Sequence, residues 1–184
     1  MHRNVWSTGA LQRAEQFGYW NEVICEAVLN VEARQIADGD FRAALTCNRL
    51  SLGNFVHFRS EPHRIERSHR LLRSKPDDSY LVSLQLSGLC HVAHGDATFT
   101  LHPGDIGVLS AARTMQLTFE HDVERAIAVI PRRRLESACG WLSPNHAVRL
   151  QHGRPTTRVL TQLISEMASP DADLRDDEEE ALGR

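Results

Sequence analysis

Tyr80-Leu-Val-Ser-Leu-Gln-Leu-Ser-Gly88, Cys90-His-Val-Ala-His-Gly-Asp-Ala-Thr-Phe-Thr-Leu-His-Pro-Gly-Asp-Ile-Gly-Val-Leu-Ser110, Met115-Gln-Leu-Thr-Phe-Glu120 and Arg125-Ala-Ile-Ala-Val-Ile-Pro131 follow one another along one stretch of the chain. Each is a strand-length apolar run, and turn residues separate the runs. Regular short strands of this kind build β-sandwiches and barrels. His94-Gly95-Asp96-Ala97 supplies a hairpin turn, because Gly-Asp between two strand-like runs makes a tight connection. His102-Pro103-Gly104-Asp105 supplies a second turn, in which Pro fixes φ and Gly accepts φ > 0. In the first run, Tyr80, Val82, Leu84 and Leu86 share one face, and Leu81, Ser83, Gln85 and Ser87 share the other. One face of a barrel strand looks inward. Ser83 and Gln85 line the interior if it is theirs; otherwise they form a wet outer face.

Working outward, residues 1–16 are polar and without periodicity, which predicts a loose or partly helical lead-in. From Phe17, the residues Trp20, Val23, Ile24, Ala27 and Val28 recur at helical spacing, which predicts an amphipathic helix lying against the barrel. Phe41–Leu50 and Leu52–Arg59 read as strands, rich in residues that favour β structure. The imperfect alternation from His63 to Leu72 predicts an edge or half-exposed strand. Beyond Pro131 the pattern turns helical, with Leu135, Ala138, Cys139 and Leu142 on one side. A second helix is expected from Arg154, with Pro155 in its first turn and an apolar stripe of Val159, Leu160, Leu163, Ile164 and Met167. The acidic residues near the C-terminus read as the first turns of a third helix. These boundaries divide the chain into a lead-in (1–16), a helix plus barrel (17–131), a helical dimerisation or linker region (132–168) and an acidic tail (169–184).

Composition excludes several classes. A chain of 184 residues can bury one core without metal or disulfides. The net charge of -3 gives no overall basic surface for phosphates, and Arg132-Arg133-Arg134 reads as a solvated helical turn rather than a nucleic-acid patch. Four cysteines without a Cys-x-x-Cys pair fit free thiols in a reducing cytosol. No signal peptide is evident, and no run approaches the ~20 apolar residues that cross a bilayer. A cytoplasmic protein is expected, with no membrane partner. The ten histidines raise the question of a metal. His91 and His94 stand three apart, which sends them to opposite faces of a strand, and no His follows the Pro-Gly-Asp turn until His121. No metal, no cofactor and no catalytic residue is expected, since a nucleophile elbow and a phosphate-cradling loop are missing as well.

The order of several short motifs carries a resemblance. They are Trp20-x-Glu22-x-Ile24-Cys25, Leu52-Gly53, Arg67-Ser68, Asp78-Ser79-Tyr80-Leu81, Gln85-Leu86-Ser87-Gly88, Leu101-His102-Pro103-Gly104-Asp105 and Ile130-Pro131-Arg132-x-x-Leu135. From about Phe17 to Met167 the chain resembles the N-terminal sensor domain of AraC-type (AraC/XylS family) transcription regulators. The resemblance implies a mainly β fold with flanking α: a cupin-like β-barrel (double-stranded jelly roll) preceded by a helix and followed by helices. It implies a non-enzymatic module that senses a small-molecule effector and forms a homodimer. It also implies DNA binding through C-terminal helix-turn-helix motifs, of which this sequence has none, so a fragment of a longer regulator is expected.

The pocket candidates are Trp20, Arg67, Tyr80 and Gln85. Arg67 can pair bidentately with a carboxylate effector, or serve as a surface strand residue or structural ion pair. Trp20 also reads as a packing anchor. Leu160, Leu163, Ile164 and Met167 are the dimerisation candidates, the alternative being that this stripe packs on its own barrel. Two other functions remain in view: a small cupin enzyme, which the missing ligand pattern disfavours, and a ligand-free dimerisation barrel.

Overall fold

The computed structural model describes residues 2–140 and 142–172. In chain order its elements are β1 (His2–Ser7), α1 (Arg13–Ala27), β2 (Glu32–Gln35), β3 (Ala43–Leu50), β4 (Gly53–Ser60), β5 (His63–Arg67), α2 (His69–Ser74) and β6 (Tyr80–Ser87). There follow β7 (Cys90–His94), β8 (Ala97–Leu101), β9 (Ile106–Ser110), β10 (Met115–Phe119), β11 (Val123–Ile130), α3 (Arg132–Ala138), β12 (Val148–Leu150) and α4 (Pro155–Ala168). The strands form two antiparallel sheets. The larger runs β1-β3-β4-β11-β6-β9-β12, and the smaller β2-β5-β10-β7-β8. Their facing surfaces enclose one core, the arrangement of a cupin-like barrel, and α1 closes it by contacting β2 of one sheet and β3 of the other.

Both expected turns form. Gly95 joins β7 to β8 at φ +56° and Gly104 sits at φ +86°, a region that L side chains rarely occupy. A Cβ on Gly104 would also stand 2.9 Å from the Cβ of His152. That contact reflects a junction around Asp105, whose carboxylate is wholly buried. Asp105 accepts hydrogen bonds from the backbone N–H of His102 (3.0 Å) and of His152 (2.9 Å), and from Arg149 Nη2 (2.7 Å) and Nε (3.0 Å). Burial alone would raise its pKa. The donors outweigh burial, so the carboxyl lies below its ordinary value. Through these bonds the Pro-Gly-Asp turn holds β12 and the chain leading to α4.

Three expectations are corrected. The lead-in is not loose: β1 pairs with β3 from His2↔Arg49 to Ser7↔Ala44. The region after Pro131 is not wholly helical, since β12 adds a strand beside β9. Strands of the larger sheet therefore lie on both sides of the 17–131 segment. The segment beginning at His63 is half-exposed, one of the two expected alternatives, but it is no edge and only its first five residues are strand. It forms β5, between β2 and β10, then turns into α2, whose Leu71 N–H is capped by Ser68 Oγ at 3.4 Å. A third helix at the C-terminus falls on 173–184, outside the described residues.

Both faces of β6 are buried. Leu81 belongs to the barrel core, and Ser83 and Gln85 share its inward face, at 1% and 0% exposure. Tyr80, Val82 and Leu84 point outward into a second apolar cluster under α4, with Phe55, Val108, Ile164 and Met167. The more polar face is thus the inner one, and the C-terminal helices cover the apolar face.

Candidate functional site

The four pocket candidates are all buried, but they do not converge. Trp20 is packed among Phe41, Phe58 and His63, and its Nε1–H donates to His63 Nε2 at 3.4 Å. Burial pulls the His63 pKa down to about 4, which leaves a neutral ring whose Nδ1–H donates to Glu61 O at 2.9 Å. Arg67 spends its guanidinium on three backbone carbonyls: Nε on Ala111 O (2.8 Å), Nη1 on Asn30 O (2.7 Å) and Nη2 on Lys75 O (2.7 Å). It is a structural clasp, not a free carboxylate receptor, because its donors are already committed in three directions. Tyr80 faces outward and donates to Glu136 Oε1 of α3 at 2.9 Å. Of the four, Gln85 has an unused group turned toward the interior.

A residue not singled out from sequence completes the site. Arg125 on β11 is 1% exposed, with its guanidinium carbon 5.4 Å from the centroid of the Phe119 ring. Its Nε and Nη2 are buried and have no hydrogen-bond partner. Among the described residues no carboxylate pairs with it. Burial drives its pKa below the ordinary guanidinium value, with the Cys90 thiol opposing the shift. A buried, unpaired cation is strongly unfavourable in an apolar interior. Arg125 lines a cavity of about 20 Å³ between the sheets, walled by Phe58, Leu81, Ser83, Met115 and Ile127, by Ile24 of α1 and by Val28 just after it. That space accommodates about one water molecule.

The signal for Arg125 was present in the sequence. Val123, Arg125, Ile127 and Val129 alternate along β11, so the arginine shares the inward parity of three apolar residues. The run quoted above begins at Arg125 itself, so the alternation with Val123 that marks the arginine as inward-facing lay outside it.

Two other concavities differ in kind. An open groove of about 560 Å³ beside Arg42, Arg59, Glu61 and Glu124 is larger, and in it Glu124 already contacts Arg59 and His57, both at 2.8 Å. A wholly apolar pocket of about 180 Å³ lies between the outer face of the larger sheet and α3 and α4. All four dimerisation candidates line it. Ile164 and Met167 are buried against the chain's own barrel, at 3% and 2% exposure, so they are corrected to core residues. Leu160 is partly buried, whereas Leu163 and its neighbour Val159 remain exposed, at 42% and 69%. Among the described residues no group of three His, Cys, Asp or Glu could hold a metal ion, and no helix is long and apolar enough to cross a membrane.

A two-sheet barrel closed by an N-terminal helix, with a buried cation in its interior, is a cupin-like fold. The chain belongs to the AraC-binding-like domain family, whose model matches residues 20–182. An uncharacterised protein encoded in the nit 5' region of Bacillus sp. (strain OxB-1) is 25% identical over 170 residues, covering 91% of this chain and 65% of that protein. The crystal structure of the AraC-like transcriptional activator CuxR superposes with a TM-score of 0.83 at 21% identity, over 99% of this chain and 66% of that one. A cupin superfamily protein from Desulfitobacterium hafniense DCB-2 gives a TM-score of 0.32 at 13% identity, over 55% of this chain and 77% of that one. The chain thus spans just under two thirds of the length of the first two relatives.

Proposed function

We propose that this domain senses a small anionic effector inside its barrel, as the ligand-binding part of an AraC-type transcription regulator. Arg125 carries the reading: a fully buried cation with two unused N–H groups is complementary to a carboxylate or similar anion. The family and the fold relation to a transcriptional activator support a regulatory, non-enzymatic role. An effector on Arg125 displaces the wall formed by Ile24 of α1 and Val28 just after it, so the liganded and closed states differ in how α1 packs. Such a change transmits a signal only through differential affinity for the two states. DNA binding belongs to a further region of the regulator, and the protein acts in the cytoplasm.

The test is a thermal-shift screen with small carboxylic acids of apolar body. At a concentration of ~100 Kd a binding acid adds about 2.7 kcal/mol, which raises Tm by ~5–10 °C for a chain of this size. A flat response across carboxylates and phosphates sinks the proposal.

Dimerisation is proposed through the exposed edge of α4, at Val159 and Leu163, rather than through the whole stripe. Leu163→Glu leaves the fold intact, because the side chain already reaches solvent, and lowers the mass in solution from dimer to monomer. Equal masses for wild type and variant by light scattering would remove the assignment.

A further inference from the structure

Gln85 and Arg125 are register partners on the ladder between β6 and β11. Directly opposed residues share a face and bring their Cβ atoms within ~5 Å. Each has a buried polar atom without a partner: Oε1 of Gln85, and Nε and Nη2 of Arg125. The amide orientation of Gln85 is determined by its other contact. Nε2 donates to Ser87 O at 2.7 Å, and a carbonyl can only accept, so Oε1 is the atom left over. The backbone of Gln85 is held as well, its N–H donating to Asp105 O (3.0 Å) and its carbonyl accepting from Gly104 N–H (2.8 Å). On two opposed residues of this ladder the interior therefore carries two donor nitrogens of a cation and one held acceptor, all buried and without partners.

We propose that the effector is a small carboxylic acid bearing a hydrogen-bond donor on the carbon next to its carboxylate, such as a 2-hydroxy acid with an apolar body. This rests on the barrel being the effector site. The carboxylate meets Arg125, the hydroxyl donates to Gln85 Oε1, and the body lies along Phe58, Leu81 and Ile127. A bare carboxylate satisfies Arg125 but leaves the Gln85 oxygen buried and unpaired, and an unpaired buried acceptor is what makes such sites discriminate.

The experiment compares matched acids by calorimetry and thermal shift on the wild-type chain: mandelate against phenylacetate, and 2-hydroxy-4-methylpentanoate against 4-methylpentanoate. The hydroxy acid of each pair binds at least ~tenfold tighter, the scale set by one buried hydrogen bond. In Gln85→Leu, or in Gln85→Met should the first variant fold poorly, the preference disappears while binding of the plain acid persists. Equal binding within both pairs overturns the donor requirement and leaves the effector site standing. No response to any of the four acids at millimolar concentration removes the effector site, and this inference with it.

Discussion

Arg125→Met raises the melting temperature of the ligand-free protein and abolishes its response to carboxylic acids. The sign is the informative part. Methionine keeps most of the volume of the arginine stem and packs among Phe58, Leu81 and Met115. It removes a cation that is 1% exposed and has two N–H groups without partners. Relieving an unpaired buried charge is worth ~2–4 kcal/mol, against which about 1 kcal/mol is lost with the Phe119 contact. The net gain is ~1–3 kcal/mol, or ~2–12 °C in Tm for a chain of this size. Stability rising as function is lost is the behaviour of a binding group held in a strained environment. Differential scanning calorimetry with and without ligand decides it. A comparable fall in Tm would make Arg125 a structural residue and end its role as an effector anchor.

Arg67→Met moves the other way, and further. Both arginines are buried and both lie on barrel strands, yet Arg67 donates to three carbonyls that belong to separate segments: Asn30 after α1, Lys75 after α2 and Ala111 after β9. Hydrogen bonds from a charged donor contribute ~1.5–3 kcal/mol each, and the abandoned carbonyls lose part of their solvation as well. A loss of ~3–5 kcal/mol is expected, or ~6–20 °C in Tm. Arg67→Lys does not restore it, because one ammonium cannot span the three directions served by a planar fork. Urea unfolding of the three proteins measures the effect. A loss below about 1 kcal/mol would free Arg67 to be a ligand residue again. Together the two substitutions separate an arginine that holds the fold from one that the fold holds in reserve.

That contrast shows how far each kind of reading reaches. The alternation of Tyr80–Ser87, the hairpin at Gly95, the turn at Gly104 and the apolar stripe of α1 were legible, because their causes are local: side-chain parity, the backbone freedom of Gly, helical spacing. β1, β2 and β12 were not, since their own residues carry little pattern. They are strands because β3, β5 and β9 offer unpaired edges to them. The candidate site was half legible. Gln85 could be named because it interrupts an apolar strand, and Arg125 could have been named for the same reason.

The sequence by itself determined the strand periods, the turn positions and the family, all of which rest on residue order and near-neighbour chemistry. The tertiary structure alone decided which face of β6 looks inward, because parity distinguishes two faces without saying which one the second sheet covers. It also decided that Arg67 is satisfied and Arg125 is not. Both are arginines in strands, and only the placement of distant carbonyls around one of them, and of aromatic and aliphatic side chains around the other, separates a clasp from an unpaired cation.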